Sequence, residues 1–288
     1  MRVGLIARDA GHPVLAAAAE VLVRRGCAVE VIPPDGVAPS ASEAGAGAPS
    51  GAGAGAPSGA GELADVYLLK ARTPQAIALA RELEGLGAVV INSAAATELC
   101  QDRVRMAELA RGAGLPFAAT TPAGRLGELT GPEHPFVVKS RHSRRHDLVA
   151  KVDGAMRLRE LAGRWPDEEV VIQPYLPGNG WDQKLWVIDG RLFAARRRSE
   201  LSPASDEPGL AGAWEPPAEV AALALRVGEV FGLDVYGVDL LDGAAEPVIV
   251  DVNAFPGVRG RPGAPEALAT LALRAAAERE RVPAARGR

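Results

Sequence analysis

Residues 1–32 carry the pattern that most constrains the fold. MRVGLIA is a short apolar run; VLAAAAEVLVRRG (14–26) keeps apolar residues on one helical face and closes at Gly26; CAVEVI (27–32) is strand-like again. Strand, helix and strand at this spacing make a βαβ unit, and strands joined through a helix run parallel. The alternation returns in DVYLLK (65–70), TPQAIALARELEGLG (73–87) and AVVINS (88–93), which predicts a parallel α/β lobe over 1–95. Next, TELCQDRVRMAELARGAGLP predicts one long helix from Thr97 as N-cap to Gly112 or Gly114, stopped before Pro116.

An octapeptide, AGAGAPSG, occurs at 44–51 and again at 52–59, with no residue able to anchor a core. Its composition predicts a flexible insertion over 38–61 without a functional role. From Phe136 the texture changes. FVVKS, LVAKV, VVIQPYL, QKLWVIDGRLFAARRR and VIVDVN read as strands, with helices near 154–164 and 216–231, so the second half is α+β and sheet-rich. Asp189-Gly190 within VIDGRL marks a hairpin turn.

A chain of 288 residues with 48% hydrophobic residues has ample material for burial. A net charge of −4 argues against a nucleic-acid binder. Cys27 and Cys100 have neither CxxC nor Cys/His spacing, so they read as reduced core thiols rather than a disulfide or zinc site. VGLIA is broken at once by RDAGHP and no apolar run is long enough to span a bilayer, so the expectation is a cytoplasmic protein without a membrane partner.

The chemistry concentrates late in the chain. VIVDVNAFPG is an apolar strand that ends on Asp251 and Asn253, whose spacing puts both side chains on one face. Asp239 ends VYGVD, and LDGAAEP between the two segments reads as a hairpin connection, which brings Asp239 beside the pair. Two carboxylates and an amide oxygen suit Mg²⁺, which takes few protein oxygens and completes its shell with water and phosphates. The plainer alternative is an Asp/Asn turn before Phe-Pro-Gly. Of 32 basic residues only Lys70, Lys139, Lys151 and Lys184 are lysine. Lys139 ends FVVK, where a packed stem would carry its ammonium to phosphates beside the metal, and Lys184 points toward the same cleft. VVIQPYLP offers extended backbone and apolar walls for adenine, with the Pro174 carbonyl still an acceptor.

In this order, FVVK, VVIQPYL, WDQKLWVIDGRLFAARRR, YGVDLL and VIVDVNAFPGVRG resemble an ATP-grasp enzyme, most closely the RimK-like branch of ribosomal-protein-S6 glutamate ligases. The resemblance implies an ATP-grasp fold with an N-terminal pre-ATP-grasp α/β domain (1–95), a central subdomain (96–175) with a lid loop at 140–148, and a C-terminal subdomain (176–288) with the metal site. By position it implies that Arg103 and Lys139 contact phosphates. Gln173, Pro174, Tyr175 and Leu176 hold adenine, through the Pro174 carbonyl and the Leu176 N–H, and Asp182 meets the ribose. Lys184 and Arg198 line the γ-phosphate and acceptor. Asp239, Asp251 and Asn253 bind two Mg²⁺ ions bridged at Asp251, with Mn²⁺ as a substitute.

One departure stands out: SRHSRRHDL (140–148) replaces the family's glycine-rich lid. Together with ARRRSEL and DVNAFPG it also resembles the inositol-trisphosphate 5/6-kinase branch, whose lid has a histidine near the position of His146. The implied function is an ATP-dependent carboxylate–amine ligase working through an acylphosphate. The alternatives are a kinase of an anionic polyol, with His146 or a lid arginine at the acceptor, and a silent binding relic. The acceptor is expected to be an anionic small molecule or peptide, and relatives imply a homo-oligomer.

Overall fold

The computed structural model describes residues 1–9, 11–34, 63–131, 133–199, 201, 210–241, 246–258 and 260–281. The tandem octapeptide and the rest of the expected insertion at 38–61 lie outside the described residues. The chain divides into two compact units, Met1–Ala95 with Pro262–Arg288, and Ala96–Arg261.

The first unit follows the βαβ reading. Its strands are β1 (Arg2–Ile6), β2 (Ala28–Ile32), β3 (Val66–Leu69) and β4 (Val90–Ile91), all parallel and ordered β2-β1-β3-β4. Helix α1 (Pro13–Arg24) begins on a proline that suits the first helical turn, and the chain leaves it through Gly26 at φ 80°. Helix α2 (Pro74–Gly85) is capped by Thr73, whose hydroxyl accepts from the Ala76 N–H at 3.2 Å.

The helix after the first lobe differs from expectation. The long helix predicted from Thr97 is two helices, α3 (Ala94–Leu99) and α4 (Arg103–Gly112). Asp102 is the N-cap, accepting from Val104 N–H at 2.9 Å and Arg105 N–H at 3.4 Å, while Thr97 is buried inside α3. A carboxylate at the positive end of a helix satisfies two otherwise orphaned donors, which favours a new start over continuation.

The second unit holds two antiparallel sheets, each with one face on helices. One contains β5 (Thr121–Arg125), β6 (Phe136–Ser140), β7 (Val149–Val152) and β8 (Glu169–Pro174), ordered β5-β8-β6-β7. Strand β5 was not expected, because TPAGR carries Pro and Gly; an edge strand tolerates both. Phe136, Val138, Ala150, Val152 and Val170 form its buried face with Leu158 and Leu161 of α5 (Ala155–Arg164). The other contains β9 (Trp181–Ile188), β10 (Arg191–Arg198), β11 (Leu210–Ala213), β12 (Val235–Leu241) and β13 (Ile249–Ala254), ordered β11-β10-β9-β12-β13. Leu185, Val187, Val238, Leu240 and Val252 pack there with Met106 of α4 and Val227 of α6 (Ala218–Phe231). The β9–β10 hairpin turns at Asp189 and Gly190, both at positive φ (51° and 72°), as a two-residue turn of this kind requires.

The final helix, α7 (Ala264–Arg281), belongs to the first unit rather than to a C-terminal subdomain running to 288. Its buried residues include Leu268, Ala269, Leu271 and Ala272, and it packs on α1 and β3. No helix among the described residues is long and apolar enough to cross a membrane.

Candidate functional site

Register builds the site. Asp239 on β12 lies opposite Asp251 on β13 and, on its other side, opposite Lys184 on β9. Residues directly opposite one another share a face, so these three form one row across the sheet. The next row on that face is Asn253, Gly237 and Trp186; the row on the other side is Leu241, Asp182 and Arg197. Strand β13 carries a bulge: Asp239 and Leu240 oppose Asp251 and Ile249, leaving Val250 as the extra residue. Ile249 and Val252 can therefore both sit in the core while Asp251 faces the open side. The Val250 carbonyl accepts a hydrogen bond from Lys139 Nζ at 2.8 Å.

Two carboxylates side by side repel each other unless cations intervene. Lys184 is ion-paired with Asp239. Arg103, buried at the start of α4, reaches Asp251 at 3.3 Å through one Nη, while the other binds Asp147 and the Ser140 carbonyl, each at 2.7 Å. Burial pushes the Asp251 carboxyl up, but Arg103, Lys139 and Lys184 outweigh it and hold it below the ordinary carboxylate value. Burial drives Lys139 down to about 8, against the opposing pull of Asp251. The donor set fits Mg²⁺: it is all oxygen, two carboxylates on adjacent strands and one amide two residues on. Among the described residues no group of three His, Cys, Asp or Glu side chains offers a rival metal site.

The first sheet supplies the facing residues. Val137 lies opposite Lys151 and Gln173, and Lys139 two residues further on shares that face. Gln173 is buried and donates through Nε2 to Thr120 Oγ1 at 2.9 Å. Pro174 ends β8, Tyr175 places its ring 4.1 Å from Lys151 Nζ, and Leu176 is an exposed apolar side chain. The alternation of β7 could have singled out Lys151, since it is polar between buried Ala150 and Val152.

The sequence and the fold have known relatives. Residues 126–263 match the RimK-like ATP-grasp domain. The chain carries a RimK-like ATP-grasp domain. A protein named probable alpha-L-glutamate ligase from Aeromonas salmonicida is 28% identical over 196 residues, 64% of this chain and 65% of the relative. A protein of the same name from Serratia proteamaculans is 26% identical over 273 residues, 90% of each chain. The chain thus spans just under two thirds of the Aeromonas relative and most of the Serratia one. The crystal structure of a RimK domain protein ATP-grasp from Sphaerobacter thermophilus superposes with a TM-score of 0.72 at 22% identity, covering 95% of this chain and 100% of that one. That likeness shows the ATP-grasp fold.

Within the RimK-like domain two expected residues are placed away from the row. Arg198 lies opposite Trp181, out of phase with Lys184, so strand alternation puts it on the other face, with its guanidinium 5.7 Å from the Trp181 ring. Arg197 has the correct phase, opposite Asp182. Burial raises the Asp182 carboxyl, with Lys184, Ser199 and Arg197 pulling it back. His146 is exposed at the turn of the 140–148 loop, at φ 61°, and its Nε2 accepts from Arg145 Nε at 3.1 Å. The loop's other arginines are engaged within the fold: Arg141 with Asp102 at 3.0 Å, and Arg144 with Glu168 at 2.6 Å. The glycine-free 140–148 loop is thus fixed by ion pairs to Asp102 and Glu168.

Proposed function

We propose that this chain is an ATP- and Mg²⁺-dependent carboxylate–amine ligase that works through an acylphosphate. The observation that carries the reading is the row Asp251, Asp239 and Lys184 on a RimK-like ATP-grasp domain, with Lys139 reaching the bulge beside it. The named relatives make glutamate the first amine to test. An acceptor carboxylate oxygen attacks the γ-phosphorus as the bond to ADP breaks. The amine nitrogen then attacks the acyl carbon, inorganic phosphate departs, and the surplus amine proton passes to solvent. No enzyme nucleophile is required.

Asp239, Asp251 and Asn253 would hold Mg²⁺, which would supply positive charge to the phosphoryl oxygens. Lys139 and Arg103 bring further positive charge, preorganised by burial, so little reorganisation is needed as charge moves. Lys184 and Arg197 share the open face and, on this reading, bind the transferring group. Gln173 to Leu176 hold the adenine, with Tyr175 and Lys151 as a wall, and Asp182 meets the ribose. The kinase alternative drew on the basic lid, and two of that lid's three arginines are committed to Asp102 and Glu168.

The test is ATP turnover with Mg²⁺ against pooled acidic peptides and amino acids, with ADP and free phosphate followed separately. The expected result is equal ADP and phosphate, requiring both a carboxylate and an amine, and lost in Asp251→Ala. ADP without free phosphate, on a polyol acceptor, would instead establish a kinase; absence of stimulated turnover would leave a binding protein.

A further inference from the structure

The row of Asn253, Gly237 and Trp186 holds a tryptophan with no role so far. After Asn253 the chain does not leave the sheet; it turns back across the open face. Phe255 is buried at φ 44°, its N–H bonded to the Val235 carbonyl at 2.8 Å. Pro256 then lies over Gly237 of β12, where an added Cβ would sit 3.2 Å from the proline ring. Further on, Arg261 stacks on Trp186 of β9, Cζ 5.4 Å from the ring centroid, and donates from Nη1 to the Ala194 carbonyl of β10 at 3.2 Å. Pro256 thus lies against β12, and Arg261 against β9 and β10, beside the row that holds Asn253.

Arg261 is fixed but not saturated. Its Nε is buried without a hydrogen-bond partner, and among the described residues no carboxylate pairs with it. A guanidinium has five donors in a planar fork matched to carboxylate, and a cation–π contact over an indole holds the group at that face. The rows running from Asp182 through Lys184 to Trp186 order the face as ribose end, phosphate end and acceptor end on the ligase reading. Successive rows are roughly 7 Å apart, a distance that one amino-acid side chain spans.

Resting on that reading, we propose that Arg261, stacked on Trp186, is a carboxylate-binding subsite. It takes a carboxylate other than the one being activated, on the acceptor or on the amine, and so selects for acidic substrates. The test uses the full chain with Mg²⁺ and a non-hydrolysable ATP analogue, titrated calorimetrically with free L-glutamate and, separately, with an N-acetylated acidic peptide that has no free amine. In Arg261→Gln, affinity for one of the two falls by at least about tenfold, as loss of a bidentate charged pair requires, while the analogue binds within twofold of wild type. Arg261→Lys, which keeps the charge and loses the fork, lies between. Loss with glutamate assigns the subsite to the amine; loss with the peptide assigns it to the acceptor. Unchanged affinity for both probes in Arg261→Gln, or no saturable binding of either by wild type that does bind the analogue, overturns the subsite. If wild type fails to bind the analogue itself, the ATP-dependent reading falls, and unchanged glutamate and peptide titrations in Arg261→Gln without nucleotide then overturn the subsite as well.

Discussion

At the scale of single residues, Arg196, Arg197 and Arg198 are alike in sequence and differ only in phase. The resemblance selected Arg198, whereas pairing of β10 with β9 puts Arg197 on the face of Lys184 and Asp239. Phase in such a run is set by the partner strand, a long-range fact that local sequence does not hold. Asp251 and Asn253 were legible because an apolar strand flanks them: Val252 and Ala254 are buried and fix the phase. Arg197→Gln is therefore expected to lower kcat/KM for ATP turnover by about a hundredfold, the scale of one lost charge-stabilising donor. Arg198→Gln is expected to leave turnover within about threefold and to cost about 0.5–1 kcal/mol of stability through the lost stack on Trp181. Steady-state kinetics and urea midpoints on both variants separate these outcomes; the reverse pattern would mean that the phase of β10 is wrong.

Among the elements, strands and helices with strong periodicity matched, and the misses share a cause. The break between α3 and α4 depends on one capping carboxylate inside an otherwise helical run, and β5 depends on an edge position where Pro and Gly are harmless. Asp102 does more than start a helix, since it also receives Arg141 from the 140–148 loop. Burial raises its carboxyl, but Arg141 and the Val104 and Arg105 N–H groups outweigh it, and the group titrates below its ordinary 3.8. A carboxylate with a depressed folded-state value contributes stability that is present above the unfolded value and lost as pH falls through the folded one. Asp102→Ala is expected to cost about 1–2 kcal/mol at pH 7, with the exposed ion pair adding little. The gap between variant and wild type should narrow as pH drops below 3.8. Denaturant midpoints along a descending pH series would show this, and a gap constant with pH would refute the capping role.

On the scale of the whole chain, the last helix decides which parts stand together. Every residue of the proposed site falls within Ala96–Arg261, while the first unit is built from both ends of the chain, Met1–Ala95 with Pro262–Arg288. The end-to-end pairing was not legible, because the amphipathic pattern of α7 reports that it must pack on something and does not name the partner. Its packing on α1 and β3 supplies the answer, and Leu271 is fully buried. Leu271→Ala removes buried methyl groups from that interface and is expected to destabilise the first unit by about 2–5 kcal/mol. Because each unit has its own sheets and buried clusters, opening should be sub-global. Hydrogen exchange followed by mass spectrometry should show faster exchange in peptides from β1, α1, β3 and α7, with peptides from β9, β12 and β13 unchanged. The non-hydrolysable ATP analogue should also bind with wild-type affinity. Equal acceleration across β9, β12 and β13 would mean instead that the chain unfolds as one cooperative body and that the site depends on the terminal helix.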